Sequence, residues 1–283
     1  MSEEPSKVLP FIEHLVELRK RLIIIVVAVV IGMGLAWNLA DEILIFMEKP
    51  LTGTTYLDTA KQKGYLYLKE HYPAIYGRAN LEKELNKPKK QHALNYTAPL
   101  EPFFIQCKIS VIAGFVLVLP IVFHQIWAFI APGLTRKERK LVVPFITVAT
   151  IAFCIGAMFF LTTIWPFIIN FSLSYETEGL RSWLSLSAYV DFCLRLILLF
   201  GLIAELPVIT LLLARFGIVS YQFLAPKRKY ALLASSIVAA FHSDLVTMFV
   251  IMIPLYLMYE VSVWVALLFG KKKVSQTVEP EAA

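Results

Sequence analysis

The chain has 283 residues, of which 58% are hydrophobic and only 17% charged, with a net charge of +6. A soluble domain averages about 45–50% apolar and about 25% charged residues, so this composition excludes an ordinary water-soluble domain and points to a chain built for lipid. Cys107, Cys154 and Cys193 all fall in apolar runs, which leaves no disulfide framework or metal-ligand spacing and makes them small core residues.

The N-terminus, MSEEPSK, is polar and acidic and shows no cleavable signal peptide, so the first span is expected to be a retained anchor. FIEHLVELRKR follows at 11–21. Drawn as a helix, it sets Phe11, Leu15, Leu18 and Leu22 on one apolar stripe. Glu13 and Glu17 stand one turn apart on a neighbouring face, with Arg21 a further turn on. Two carboxylates at this spacing repel by a few tenths of a kcal/mol (about 0.2–0.5), and Arg21 relieves only part of that. The segment therefore reads as a membrane-hugging helix that presents carboxylates beside basic residues. The plainer alternative is an ordinary interfacial helix with solvated charges.

Six apolar runs follow, at 22–40, 104–128, 141–165, 187–214, 230–243 and 246–269. A span needs about 20 residues for about 30 Å of hydrocarbon. The fifth run is short, and only His242, Ser243 and Asp244 divide it from the sixth, so these two are expected to form a tight hairpin. Pro120, Pro144, Pro166, Pro207 and Pro254 lie in or at the ends of spans and predict kinked, curved helices. Lys7, Arg19, Lys20 and Arg21 precede the first run. Arg136, Lys137, Arg139 and Lys140 lie between the second and third, and Arg215, Lys227, Arg228 and Lys229 between the fourth and fifth. Lys271, Lys272 and Lys273 follow the sixth. The positive-inside rule then places both termini in the cytoplasm. The segment 41–103 becomes a periplasmic cap with some helix around 79–87, within one membrane domain over 1–270 that ends in a cytoplasmic tail, 271–283.

Glu205 is the most informative single residue. It lies ten residues before Arg215, about 15 Å into the membrane, and Arg195, also ten residues away on the same helix, is too far for a direct pair. An ionisable group there is a functional-site candidate by default, as a docking point for another membrane helix or as a proton site. A protonated, hydrogen-bonded structural glutamate is the alternative. Asp191 and Arg195, at i,i+4, read as a structural pair, and Glu260 has the same ambiguity as Glu205 nearer water. Lys108 reads as snorkelling to the outer interface. His124 and Gln125 read as interfacial polar residues. In FIAPGLTRKERK, 129–140, Glu138 is the sole acid among four cations. With Glu13 and Glu17 it sets carboxylates on a basic cytoplasmic surface, an arrangement suited to capturing guanidinium groups bidentately. There is no zincin, GxSxG or P-loop motif, and His242-Ser243-Asp244 are consecutive and cannot form a triad. An enzyme is not expected.

HLVELRKR at 14–21, APLEPFF at 98–104, the LP…QIWAFIAPGLTRKERK run at 119–140, AELP at 204–207 and IPLYLMYE at 253–260 together resemble TatC, the multi-spanning subunit of the twin-arginine protein translocase. The resemblance implies an all-α, cupped six-span fold in the cytoplasmic membrane that receives twin-arginine signal peptides of folded substrates. By motif, Glu17 and Glu138 would bind the arginine pair, Arg19 and Phe129 would shape the site, and Glu205 and Asp244 would contact single-span TatA and TatB partners. It further implies a homo-oligomer within the complex, transport driven by the proton-motive force, and neither cofactor, metal nor nucleic acid. Two departures stand out. The five–six turn, usually TPPD with a glutamine four residues on, here has His242-Ser243-Asp244 and Met248, and the first outer loop is long between Thr52 and His92. The rival reading is a proton-coupled small-solute transporter built around Glu205.

Overall fold

The computed structural model describes residues 11–52, 56–73, 92–133, 139, 142–177, 179, 181–240 and 245–270. The expected helix at 79–87, the cations at 7, 136, 137, 140 and 271–273, and the turn at 242–244 lie outside these residues. Among the described residues every element is helical, and one isolated bridge, Asn95 to Ser185, is the extended pairing. The chain divides into two compact units, residues 1–202 and 203–283.

In the first unit α1 runs Phe11–Ala36, and a 3-10 turn, Trp37–Leu39, leads into α2, Ala40–Thr52. The helix therefore carries on past residue 40, where a polar loop was expected. Asp41, Glu42, Glu48 and Lys49 lower the hydropathy of this stretch, but Ala40, Met47 and Leu51 recur on one face and are buried. A further helix, α3, occupies Tyr56–His71.

The second run is not one straight span. It breaks at Val118 into α4, Glu101–Leu117, and α5, Leu119–Ile130, which meet at a 58° bend. Pro120, in the first turn of α5, has no N–H to offer the α4 ladder. The third run extends beyond its expected end. Helix α6, Val142–Phe159, passes through a π-helical turn, Phe160–Ile164, into α7, Trp165–Leu173. The wider turn lies directly before Pro166, where the regular ladder loses a donor.

Helices α1 and α4 approach each other closely at their backbones. A Cβ at Gly114 would lie 2.3 Å from the Met33 nitrogen, and one at Gly32 would lie 2.6 Å from the Gly114 carbonyl. Only glycine lets these two helices meet. Trp165 anchors a second cluster: its Nε1–H donates to the Met47 carbonyl at 3.0 Å, and the Tyr189 hydroxyl donates to the same oxygen at 2.6 Å. Glu101 ties two helix starts together. Its Oε2 accepts from Thr97 N at 2.9 Å and Ala98 N at 3.3 Å, ahead of α4, and its Oε1 accepts from Ser187 N at 3.0 Å in the first turn of α8, Leu186–Phe216.

The second unit takes up the C-terminal half of α8. That helix ends in a Schellman motif, with Gly217 at φ 76°, its N–H donating to Ala214 O and that of Ile218 to Leu213 O. Next come α9, Tyr221–Leu224, α10, Arg228–Ala239, and α11, Leu245–Phe269. Glu260 has definite partners: Arg228 Nε donates to it at 2.8 Å and the Tyr256 hydroxyl at 2.8 Å. That pair fastens α10 to α11.

Four continuous helical stretches are long and apolar enough to cross a membrane, Ile12–Thr52, Val142–Leu173, Leu186–Phe216 and Thr247–Phe269, and the bent α4–α5 pair makes a fifth. The remaining expected crossing, the fifth run, is α10. It has 12 residues, about 18 Å of rise against about 30 Å of hydrocarbon.

Candidate functional site

Glu17 lies at the second turn of α1 and is half-buried. The Arg21 guanidinium, one turn on, donates from Nε at 3.0 Å and from Nη2 at 2.5 Å to the same carboxylate oxygen, Oε1. Arg21 also reaches across to α5, where its Nη1 donates to Gln125 Oε1 at 3.2 Å. Among the described residues, Glu17 Oε2 makes no hydrogen bond. One oxygen is thus fixed by a guanidinium, and among the described residues no donor reaches the other.

His14 and Phe129 close one flank, their rings stacked at 4.2 Å and 15°. The Arg139 Nε–H donates to the Ala131 carbonyl, just after α5, at 3.1 Å. The result is a carboxylate, an amide and two rings at the end of the α1–α5 pair where α1 begins.

Of the residues expected here, Glu17 and Phe129 are brought to the same end. Arg19 is exposed and two positions from Glu17, so it lies about 200° round the helix, away from that carboxylate. Glu13 is also exposed. Glu138 and Asp244 lie outside the described residues. Glu205 is buried, at 3% exposure, in a helix whose other charges are Asp191, Arg195 and Arg215.

Sequence reasoning missed Gln125 and His14. Gln125 was taken for an interfacial polar residue, yet it fixes the orientation of Arg21. Nothing in the sequence marks that contact, because 104 residues separate the two. The Glu17–Arg21 spacing was the one legible clue. Among the described residues, no group of three or more His, Cys, Asp or Glu is placed to hold a metal ion.

The chain matches the family described as Sec-independent protein translocase protein (TatC) over residues 13–254. It is 32% identical over 285 residues to a TatC protein of Desulforapulum autotrophicum, covering 100% of this chain and 92% of that one. It is 33% identical over 276 residues to a TatC protein of Magnetococcus marinus, covering 97% and 88%. The crystal structure of a twin arginine translocase receptor, TatC, superimposes with a TM-score of 0.68 at 28% identity, covering 90% of this chain and 98% of that one.

Proposed function

The chain belongs to the TatC family of Sec-independent protein translocase proteins, and from that premise we propose that it captures twin-arginine signal peptides through Glu17. It is a non-enzymatic translocase component of the cytoplasmic membrane that works with other Tat subunits. The rival reading as a small-solute transporter is set aside, since the family is one of protein translocases.

The observation that carries the proposal is the state of the Glu17 carboxylate. Arg21 already holds one oxygen in guanidinium geometry, and no donor among the described residues reaches the other. Charge-assisted, planar pairing of this kind favours Arg over Lys, whose ammonium is a point charge. In this reading Glu138 supplies the second carboxylate, Phe129 stacks against the peptide and Arg19 contributes to the surrounding surface. The bound peptide belongs to a folded substrate moved by the proton-motive force. Glu205 and Asp244 meet the TatA and TatB helices, and the protein forms a homo-oligomer in the complex. The reading includes six crossings in one membrane domain over 1–270, with both termini cytoplasmic.

Binding of a twin-arginine signal peptide to the purified protein tests the site. Glu17→Gln and Glu138→Gln should each weaken binding about tenfold or more, the loss of one charge-assisted contact, and a lysine-pair peptide should bind native protein as poorly. Equal binding of the two peptides, or an unchanged affinity in Glu17→Gln, would sink the proposal.

A further inference from the structure

At the end of α1 remote from Glu17, the start of α4 and the first half of α8 enclose an open cleft of about 940 Å3. Small-molecule sites fall at roughly 300–1,000 Å3. The placement follows from the helix contacts. Arg21 near the start of α1 reaches α5, whereas Trp37 at its far end lies 6.0 Å from Phe103 in α4. Glu17 and the cleft therefore sit at opposite ends of the same helix pair.

Two carboxylates, Glu101 and Asp191, and two cations, Lys108 and Arg195, line the cleft, and their contacts leave one cation over. Lys108 Nζ donates to both oxygens of Asp191, at 2.7 and 2.9 Å. Both oxygens of Glu101 are engaged by the backbone N–H groups of Thr97, Ala98 and Ser187. Each carboxylate is thus committed. Arg195 also lines the cleft and is exposed. Among the described residues it has no hydrogen bond and no ion pair, so the expected Asp191–Arg195 pair is not formed.

A bare guanidinium on a membrane helix is costly unless it reaches an anion or the headgroup layer. Arg195 stands twenty residues before Arg215, about 30 Å of helical rise, which is the thickness of the hydrocarbon. Two cations at that separation on one helix mark its two headgroup levels. Phosphate is the anion that every phospholipid offers at that level, and a guanidinium matches it bidentately. Deeper than Arg195 the wall is apolar: Val111, Ile112 and Leu198 line the cleft, and Val111 is exposed. A phosphate beside a strip of exposed hydrocarbon-facing side chains is the pattern of a lipid. A partner helix would have to bring a carboxylate to the same depth.

We propose that this cleft binds one phospholipid from the leaflet opposite the Glu17 site, with its phosphate on Arg195 and an acyl chain along Val111, Ile112 and Leu198. The lipid would neutralise Arg195 and fill the gap between α4 and α8. The site is independent of signal-peptide capture and goes beyond it.

Native mass spectrometry of the purified full chain in detergent, titrated with phosphatidylglycerol, tests this. Native protein should retain one lipid. Arg195→Gln should weaken retention about tenfold or more, with Arg195→Lys between the two. Leu198→Trp, which fills the cleft and keeps the guanidinium, should weaken it as well. Millimolar inorganic phosphate should not displace the lipid. Retention unchanged in Arg195→Gln or in Leu198→Trp would overturn the proposal. So would displacement by inorganic phosphate, which marks a plain anion site. A photo-crosslinker in place of Leu198 should label lipid in native membranes, and a polypeptide adduct there would overturn the proposal in favour of a partner helix. Signal-peptide affinity should stay at the native value in Arg195→Gln, which separates failure of this site from failure of the Glu17 reading.

Discussion

Asp191 has two cations that sequence allows, Arg195 four residues on and Lys108 83 residues earlier, and the fold gives it the second. An i,i+4 pair on a helix contributes about 0.2–0.5 kcal/mol. The cross-helix pair engages both carboxylate oxygens and joins two helices, so it competes well even though Lys108 is part-exposed. Gly114 makes the same point in steric terms. Its sequence setting, an apolar run, is no different from that of Gly34, yet a Cβ at Gly34 meets nothing within 4 Å while one at Gly114 would strike the backbone of Gly32 and Met33. Gly114→Ala should therefore cost about 1–3 kcal/mol through overpacking. Gly34→Ala should be neutral, or gain up to about 1 kcal/mol from helix propensity. Thermal unfolding of both variants in one detergent checks this, and equal melting temperatures would refute the close α1–α4 approach.

Helix α2 shows how tertiary contact can override composition. Its charged residues made 41–52 read as loop, but one face is buried among α4 and α7, and its Met47 carbonyl collects donors from both Trp165 and Tyr189. Two donors on one buried acceptor are partly redundant. Trp165→Phe or Tyr189→Phe alone leaves the oxygen satisfied and should cost about 0.5–1.5 kcal/mol. The double variant orphans the carbonyl and should lose more than the sum, with a coupling of about 0.5–3 kcal/mol in a double-mutant cycle. Strict additivity would mean that the two donors do not share the acceptor. The proline readings fared unevenly, since Pro207 and Pro254 lie inside helices that run on as single elements. Pro120 and Pro166 each coincide with a departure from regular helix, because a missing N–H is a local property that sequence alone reveals.

At the scale of the whole molecule, topology turns on α10. Four continuous stretches and one bent pair qualify as crossings, and a sixth requires the 12-residue α10 to reach the far side together with the start of α11. Thinning of the bilayer around a short hairpin would permit this at a modest cost per ångström of mismatch. Cysteine labelling in intact cells decides the point, in a background lacking Cys107, Cys154 and Cys193. With six crossings, Ser243→Cys should react with an impermeant maleimide from outside. Ser275→Cys should react only after permeabilisation. Protection of position 243 in intact cells, with labelling after permeabilisation, would mean five crossings and a re-entrant α10.

The amino-acid sequence by itself determined the membrane class, the positions of the long apolar helices and the family, because hydropathy, proline placement and ordered motifs are all local. It also singled out Glu17 and Arg21, whose spacing is helical. Tertiary structure alone decided that Arg21 is held by Gln125, that Asp191 prefers Lys108 and leaves Arg195 facing a cleft, and that α2 is a packed helix. Each of those outcomes depends on which groups lie across a helix interface, and that is fixed only once the backbones have met at Gly32 and Gly114.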